Sequence, residues 1–511
     1  MIDTIVGAGV PGFSGDPSVV ATGYFGVAAP GLIDGPSGVL ALDDGRLLFA
    51  DSRNGALRLA NLAEEPRRFA GIEAPPGGLV VVAGSRSGRV RARTPIDVEV
   101  DDQGAVLFTD LGRLNVEPAV LQIDPRTRVV TRAVGTQART AFGGANLGDG
   151  GPALLATLAE PIALDLTSDG ALYIADAGNR RIRYVNRTGA TAAPTPALSV
   201  RAGDIDTLVN GANDALDLVP DDGQSIASPT SLTLSFPSSV ARATTALWIG
   251  DEGRDRVLRV NLALGVVEGV AGAVLVQASR PCSVAPDTSG FGQLTDAGAA
   301  FVGLVFPGDA LRFNGVVVAT VTEVLSSTVL LFTPSPSAPS SPNYEVFRAG
   351  RPTALAALDD ERVYVAAAVD ELGGSRVVLL TRSGGVFSAA PIAGTGHGDW
   401  NGDLLPALSL NLGEVRGLHL DGDLLLVGDG GNHRLVGVNV GLAPVTVGGV
   451  TIDPGNARTL AGAGQGDAGF NGDAVPSTAG LLNQPTGVSL SPDGGVVFID
   501  AGNARVRRFQ R

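Results

Sequence analysis

Four times this chain repeats one clause: a glycine-rich loop ending in Gly-Asp, a strand ending in Asp, and a turn carrying Asn and Arg. The copies are Gly12-Phe-Ser-Gly-Asp16 with Phe49-Ala-Asp51-Ser-Arg-Asn54, Gly148-Asp149 with Ile174-Ala-Asp176-Ala-Gly-Asn179, Trp400-Asn-Gly-Asp403 with Val427-Gly-Asp429-Gly-Gly-Asn432, and Phe470-Asn-Gly-Asp473 with Ile499-Asp500-Ala-Gly-Asn503. In the last three the two aspartates stand 27, 26 and 27 residues apart. A period held that tightly marks a supersecondary unit that stacks on copies of itself.

The unit is made of strands. With 71 glycines, 32 prolines and 5% aromatics in 511 residues, the chain is composed for many short strands and turns. The phrase "Pro, two residues, aliphatic, any, aliphatic" opens a unit at Pro36, Pro95, Pro161, Pro237, Pro352 and Pro485, and at Val415 without the proline. Tight turns such as Asp43-Asp44-Gly45 and Ser168-Asp169-Gly170 then lead into second strands, as antiparallel neighbours require. Third strands include Arg181–Val185, Arg256–Val260, Arg376–Leu380 and Arg505–Phe509; fourth strands include Arg68–Gly71, Val129–Gly135, Val266–Gly272 and Thr459–Gly462. Four antiparallel strands repeated seven times predict a β-propeller, which protects its sheet edges by closing radially. Six blades is the alternative count, because the Pro352 unit ends its second strand in Ala-Ala-Ala-Val rather than Asp.

The chain stops after a third strand, while Ile2-Asp3-Thr4-Ile5-Val6 reads as an orphan fourth strand, so the N-terminus is expected to complete the last blade beside Val506–Phe509. Residues 277–348 break the repeat with hairpin signals and a Ser/Pro-rich tether, and predict an inserted small β-barrel or sandwich of SH3-like character. The expected division is therefore 1–276 with 349–511 for the propeller and 277–348 for the insert.

The string Ala-Gly-Thr/Ala-Gly, Phe-x-Gly-Asp, Pro-x-Gly-Val, Asp-x-Gly-Asn-x-Arg-Ile/Val-Arg resembles the NHL repeat of bacterial and teneurin-like propellers, most specifically in the units at Pro161 and Pro485. NHL propellers commonly have six blades, so seven is a departure. The resemblance implies a binding or scaffolding role. Related lyases of streptogramin and peptidyl-amidating type imply channel histidines with a metal. Here the histidines are His397, His419 and His433, all in or beside one unit, and no nucleophile elbow or phosphate loop is present.

Composition narrows the partners. A net charge of −15 repels phosphate backbones, and few aromatics are available for base stacking, which excludes nucleic acid as the expected partner. No apolar run approaches the roughly 18 residues of a membrane span. Met1–Gly9 lacks the basic head and apolar core of a signal peptide, so a secretory signal has been removed, lies upstream in a longer protein, or never existed. The lone Cys282 allows no intrachain disulfide and is expected to be an idle or packed thiol.

The candidate sites follow from the blade plan. Connector loops, the turns after the second strands and the insert should converge on one face, with the insert flanking or covering the channel mouth. This makes Asp16, Asp149, His397, Trp400, Asp403, His433, Phe470 and Asp473 the binding-face candidates. The plainer expectation for the aspartates, Asp51, Asp176, Asp429 and Asp500 included, is turn-stapling; the connector ones could bind calcium but lack EF-hand spacing. Positions two and four of the first strands should face the channel, which gives Asp97, Glu99, Asp165, His419 and Ser489, able to hold a divalent cation or simply solvated. Arginines of the third strands (Arg181, Arg183, Arg256, Arg259, Arg505, Arg507, Arg508) alternate with aliphatics and are expected on the outer part of each sheet, paired with acids. The functional expectation is a non-enzymatic scaffold without a cofactor that binds a protein or glycan in an extracellular, cell-surface or periplasmic setting, as part of a larger chain or assembly. A metal-dependent lyase or lactonase at the channel is the alternative.

Overall fold

The computed structural model describes residues 1–8, 11, 18–19, 32–42, 44–69, 72–84, 93–101, 103–112, 117–124, 127, 129–136, 147–209, 225–226, 229–271, 274–286, 292–299, 310–313, 316–333, 343–348, 350–369, 373–384, 386–403, 405–463, 467–491 and 494–510. Asp16 lies outside them. The described chain is all-β and propeller-like: each of the seven starts read from the sequence lies at the head of the innermost strand of an antiparallel sheet with a four-stranded core, as its first residue or, for Pro352, its second. These sheets are called blades 1 to 7 in chain order. Their innermost strands are Pro36–Ala41, Pro95–Val100, Pro161–Leu166, Pro237–Arg242, Arg351–Asp359, Val415–Asp421 and Pro485–Leu490. Each packs against the next, and the last against the first, so the inner strands form a closed circle.

Local chemistry explains the recurring start. Proline has no N–H to give, so it is tolerated as the first residue of a strand. Val415, which replaces it in blade 6, does have an N–H, and the Ser375 hydroxyl of blade 5 accepts it at 3.2 Å. In all seven blades the pairing of the first two strands slips just past this residue, a bulge that strengthens the local twist. The second and third strands are buried along nearly their whole length because both faces of each sheet meet neighbouring blades. Leu107, Leu172 and Ile174, for example, share one cluster between blades 2 and 3. Each such side chain contributes about 1.5–3 kcal/mol on leaving water.

The N-terminus closes the ring. Ile2–Val6 pairs antiparallel with Arg505–Phe509, Thr4 standing opposite Arg507. Thr4 N donates to Asp473 Oδ1 at 2.6 Å, and Ala474 N donates to Asp3 Oδ1 at 3.0 Å, so the clasp is tied on both sides.

Two expectations are corrected. Arg68 and Phe69 do not belong to the fourth strand of blade 1, which is Gly78–Gly84; they sit in a separate hairpin of Arg67–Phe69 with Ile72–Ala74. The same arm recurs in blade 3 (Ala192–Thr195, Leu198–Val200) and blade 6 (Val445–Val447, Val450–Ile452). A buried asparagine ending the third strand clasps each arm at its base: Asn61 Nδ2 donates to Glu65 O and Ala74 O, Asn186 to Ala190 O and Val200 O, and Asn439 to Ala443 O and Ile452 O, all between 2.7 and 2.9 Å. The apolar side of each arm lies in the seam to the next blade, as Val447 and Ile452 do against Phe498 and Phe509.

The second correction concerns the insert. Its sheet begins at Val274 rather than at 277 and runs to Arg348 in seven strands. The strands at the two ends of its order, Val274–Pro281 and Ser283–Pro286, are halves of one segment broken at Cys282, so the sheet curls on itself around Leu294, Phe313, Phe332 and Tyr344. Its first strand packs against Gly374–Ser383 and Val386–Ala393, the two outer strands of blade 5, which places this contact at the perimeter rather than at the channel mouth. No helix among the described residues is long and apolar enough to cross a membrane.

The clasp generates a prediction. Removing residues 1–6 should expose the Arg505–Phe509 edge and lower the thermal midpoint, whereas Asp473→Ala should cost about 1–3 kcal/mol, the usual cost of orphaning a buried donor. Thermal and urea unfolding followed by circular dichroism measures both, and a truncated chain melting like the parent would refute the clasp.

Candidate functional site

The aspartates that end the second strands are buried clamps. Asp51, Asp110, Asp176, Asp251, Asp429 and Asp500 are at most 2% exposed. Each accepts a backbone N–H from the connector before its own first strand: Asp34, Thr94, Ala159, Gly413 and Asn483 at 2.7 Å, and Ser235 at 2.9 Å. Four accept from the asparagine three residues on, Asn54, Asn179, Asn432 or Asn503. Five face a third-strand guanidinium: Arg58, Arg183, Arg256, Arg434 or Arg507, between 2.8 and 3.6 Å. These arginines stand on third strands, in the outer half of each sheet as expected, and are buried there; Arg58, Arg183, Arg259, Arg434 and Arg507 are among the largest fully buried side chains. Pairing with acids holds as expected.

The same arginines reach the connectors. Arg183 Nη2 meets Asp149 Oδ1 at 2.6 Å, Arg434 Nη2 donates to Asn411 O at 2.8 Å, and Arg507 donates to Leu481 O and Gly472 O at 3.0 Å. Asn179, Asn432 and Asn503 also donate to connector carbonyls. Connectors and turns thus share one face. The connector aspartates cross to the fourth strand of their own blade: Asp149 accepts from the Thr207 hydroxyl, Asp403 from Thr459 N, and Asp473 from Thr4 N. Trp400 lies 4.4 Å from the Arg434 guanidinium, and Phe470 lies 3.4 Å from that of Arg505, as cation–π lids over the buried charges. Asn401 and Asn471 bind their loops identically, each donating to a carbonyl eight residues on and accepting an N–H ten residues on. Here Asp149, Trp400, Asp403, Phe470 and Asp473 staple the loops. His433 takes a left-handed conformation at φ 55°, and its Nδ1 accepts Gln484 N across to blade 7 at 3.1 Å. His397 is exposed in the connector between blades 5 and 6.

In the ring centre the acids prove to be seam bonds. Asp97 Oδ2 accepts Leu164 N at 2.8 Å, from blade 2 to blade 3, and Asp165 Oδ2 accepts Arg242 N at 2.7 Å, from blade 3 to blade 4. Glu99 sits in the field of both. Burial first, then the Asp97 and Asp165 charges, push its carboxyl up to about 8; burial raises Asp97 to about 6 despite two backbone N–H donors. His419 is on blade 6, away from this group; burial lowers its pKa, and the charge opposing that shift is Asp421 of its own strand. Ser489 is half-buried on blade 7. Among the described residues no three His, Cys, Asp or Glu side chains come together as a metal-holding group. Signals that sequence reasoning missed include Asp110 and Asp251, which share the strand-ending position without the following Gly-Asn.

No protein-family model matches the sequence, and no curated protein does. Among solved structures the chain is similar to a structural-genomics protein of unknown function from Bacteroides thetaiotaomicron VPI-5482, at 12% identity over 100% of this chain and 75% of that one, with a TM-score of 0.41. It is also similar to a chain of a nidogen/laminin complex, at 18% identity over 45% of this chain and 60% of that one, with a TM-score of 0.27. Overlaps this loose carry no argument about function.

Two predictions follow from these contacts. Asp500→Ala should take from the fully buried Arg507 one of its two acids, Asp473 remaining at 3.4 Å, and orphan the Asn483 N–H and the Asn503 amide, destabilising the fold by about 3 kcal/mol, the lower end for breaking a buried pair; Asp500→Asn should cost less, because it keeps an acceptor. Urea midpoints rank the two, and equal costs would mean that the lost charge accounts for the whole effect and the retained acceptor for none. Glu99 holds in the folded state a proton that the unfolded chain gives up near its ordinary value of 4.5. Its contribution is therefore complete below that pH and is lost as pH rises through about 8. Glu99→Gln should gain on the parent by up to about 5 kcal/mol between acidic and alkaline pH, at about 1.4 kcal/mol for each pH unit between 4.5 and about 8. A constant difference in unfolding free energy across that window would show the group is not perturbed.

Proposed function

We propose that this chain is a non-enzymatic, NHL-type binding scaffold whose connector face, with the inserted sheet, meets a protein or glycan partner outside the cell or at its surface. The observation that carries this reading is where the polar atoms of the repeated clause go. Asp, Asn and Arg are bound to connectors, turns and one another, so the loops are fixed rather than free. What the rim exposes lies beside these bonds: Phe470, 37% exposed, Arg53, with 74% of its side chain exposed while its Nη1 lies 3.5 Å from Asp34, Arg180 on the blade 3 turn, and Phe236, 36% exposed just before blade 4. Arginine and aromatic side chains on a rigid rim suit recognition without a large ordering cost. The enzymatic alternative draws no support from the channel, because Asp97 and Asp165 are engaged by backbone N–H groups and His419 lies on a distant blade. The charge of −15 speaks against nucleic acid.

Pull-down from cell-surface extracts and glycan-array binding test the reading with the full-length chain. Arg53→Glu with Arg180→Glu, and separately Phe236→Ala, should weaken capture about tenfold, the scale of a hot-spot loss. Leu264→Asp and Leu442→Asp, on the turns of the opposite face, should leave it unchanged. Capture lost only in the second pair would move the binding surface to the other side of the ring.

A further inference from the structure

Among the described residues, the junction between blades 4 and 5 shows no clamp of the kind that serves the others. Its connector is given over to the Val274–Arg348 sheet, and the second strand of blade 5 sets Ala367 opposite Pro352, where six other blades set Asp opposite the opening residue. In place of the clamp, the turn at Asp359–Arg362, on the face opposite the connectors, reaches back over blade 4. The Asp360 carboxylate accepts Thr245 N at 2.6 Å, the Thr245 hydroxyl at 2.8 Å and Ala246 N at 3.0 Å. Arg259 Nε donates to Asp360 O at 2.6 Å, and Trp248 Nε1 donates to Asp359 O at 3.2 Å.

Four charges then close a ring across the seam. Arg259 meets Glu268 at 2.8 Å and Glu361 at 2.9 Å; Arg382 meets Glu268 at 2.7 Å and Glu361 at 3.2 Å. Arg259 and Glu268 belong to blade 4 and are buried; Glu361 and Arg382 belong to blade 5 and are partly exposed. Trp248 is wholly buried beside them, its ring 6.2 Å from Phe387 of blade 5.

We propose that the Asp359–Arg362 turn is a latch that closes the ring at the one junction whose connector carries the inserted sheet, so that closure does not depend on the insert. The insert is then a module mounted on the perimeter of blade 5, free to be engaged or displaced while the ring stays shut. Alternating charges that share partners around a closed circuit stabilise more than isolated exposed pairs do. The seam bonds of the latch lie on the face opposite the connector, out of reach of anything the insert does there.

The protein holds its own reporter. Trp248 and Trp400 are its two tryptophans, and Trp400→Phe copies the residue that Phe470 already supplies in the sister clause. In the full-length Trp400→Phe chain, acrylamide quenching of Trp248 is compared for Asp360→Ala, for Glu361→Gln, and for a chain cut within the insert at a protease site built into the turn at Ser327-Thr328. Both latch variants should raise the quenching constant about threefold or more and lower the urea midpoint; the cut should change neither. The proposal is overturned if the cut opens Trp248 to quencher as far as the latch variants do, or if the latch variants leave quenching unchanged. Should Asp360→Ala fail to fold, Glu361→Gln decides alone: its urea midpoint should lose the salt dependence that the charge ring gives the parent, and retained dependence would refute the latch.

Discussion

A buried aspartate at the end of a blade's second strand fixes more of this structure than any other contact. It draws in the connector through a backbone N–H, the following turn through an asparagine amide, and the third strand through a guanidinium. Three stretches of chain that would otherwise be independent loops are thereby held at one point. Taking these charges out of water carries a large desolvation penalty, which several partners together offset; Asp110, with neither asparagine nor guanidinium bonded to it among the described residues, is held by the N–H groups of Arg93, Thr94 and Gly112. Where the acid itself is missing, the cluster has no centre. Blade 5 has Ala367 in place of the acid, its connector is an inserted sheet, and its strands are longer, at 9, 8, 10 and 8 residues. Extra ladder bonds and the charge ring stand in for the clamp.

Much of this was legible in the sequence because its signals are local. Proline marks a strand start by lacking a donor, Gly and Asn mark left-handed turns, and alternation marks a strand face; seven starts, the odd blade, the insert and the N-terminal clasp all follow from such marks. What could not be read depends on neighbours. Arg68-Phe69 has the same alternation as a true fourth strand, and only the buried Asn61 at its base makes it an arm. The third-strand arginines alternate with aliphatics as surface residues do, yet both faces of the third strand are covered here, so alternation separates two buried environments rather than inside from outside. Asp97 and Asp165 fall at channel positions, and whether a carboxylate there meets water or the next blade's backbone is decided by blade packing.

The central acids illustrate how a structural role and a catalytic appearance coincide. Three carboxylates near an axis, with Glu99 raised to about 8, look like a site prepared for proton transfer. Two of them, however, are seam bonds whose oxygens accept the N–H groups of Leu164 and Arg242. The raised value of Glu99 is the electrostatic consequence of placing a third acid beside two that the ring requires. Perturbation alone does not separate function from architecture; the partners of each oxygen do.

The same distinction bears on recognition. A loop whose polar atoms all serve internal bonds has little left to offer a ligand, so Asp149, Asp473, Asn401 and Asn471 contribute shape and stiffness. In the proposed binding role, specificity would come from side chains that the clamp does not use, such as Arg53 and Phe236, and from the inserted sheet. Because the clamp fixes the backbone beneath those side chains, changes among them alter the surface without altering the ring. A repeated internal bond beneath a rim it does not use lets the surface change while the fold is kept, and mounting the insert at the junction where the described residues form no clamp extends that freedom from single residues to a whole sheet.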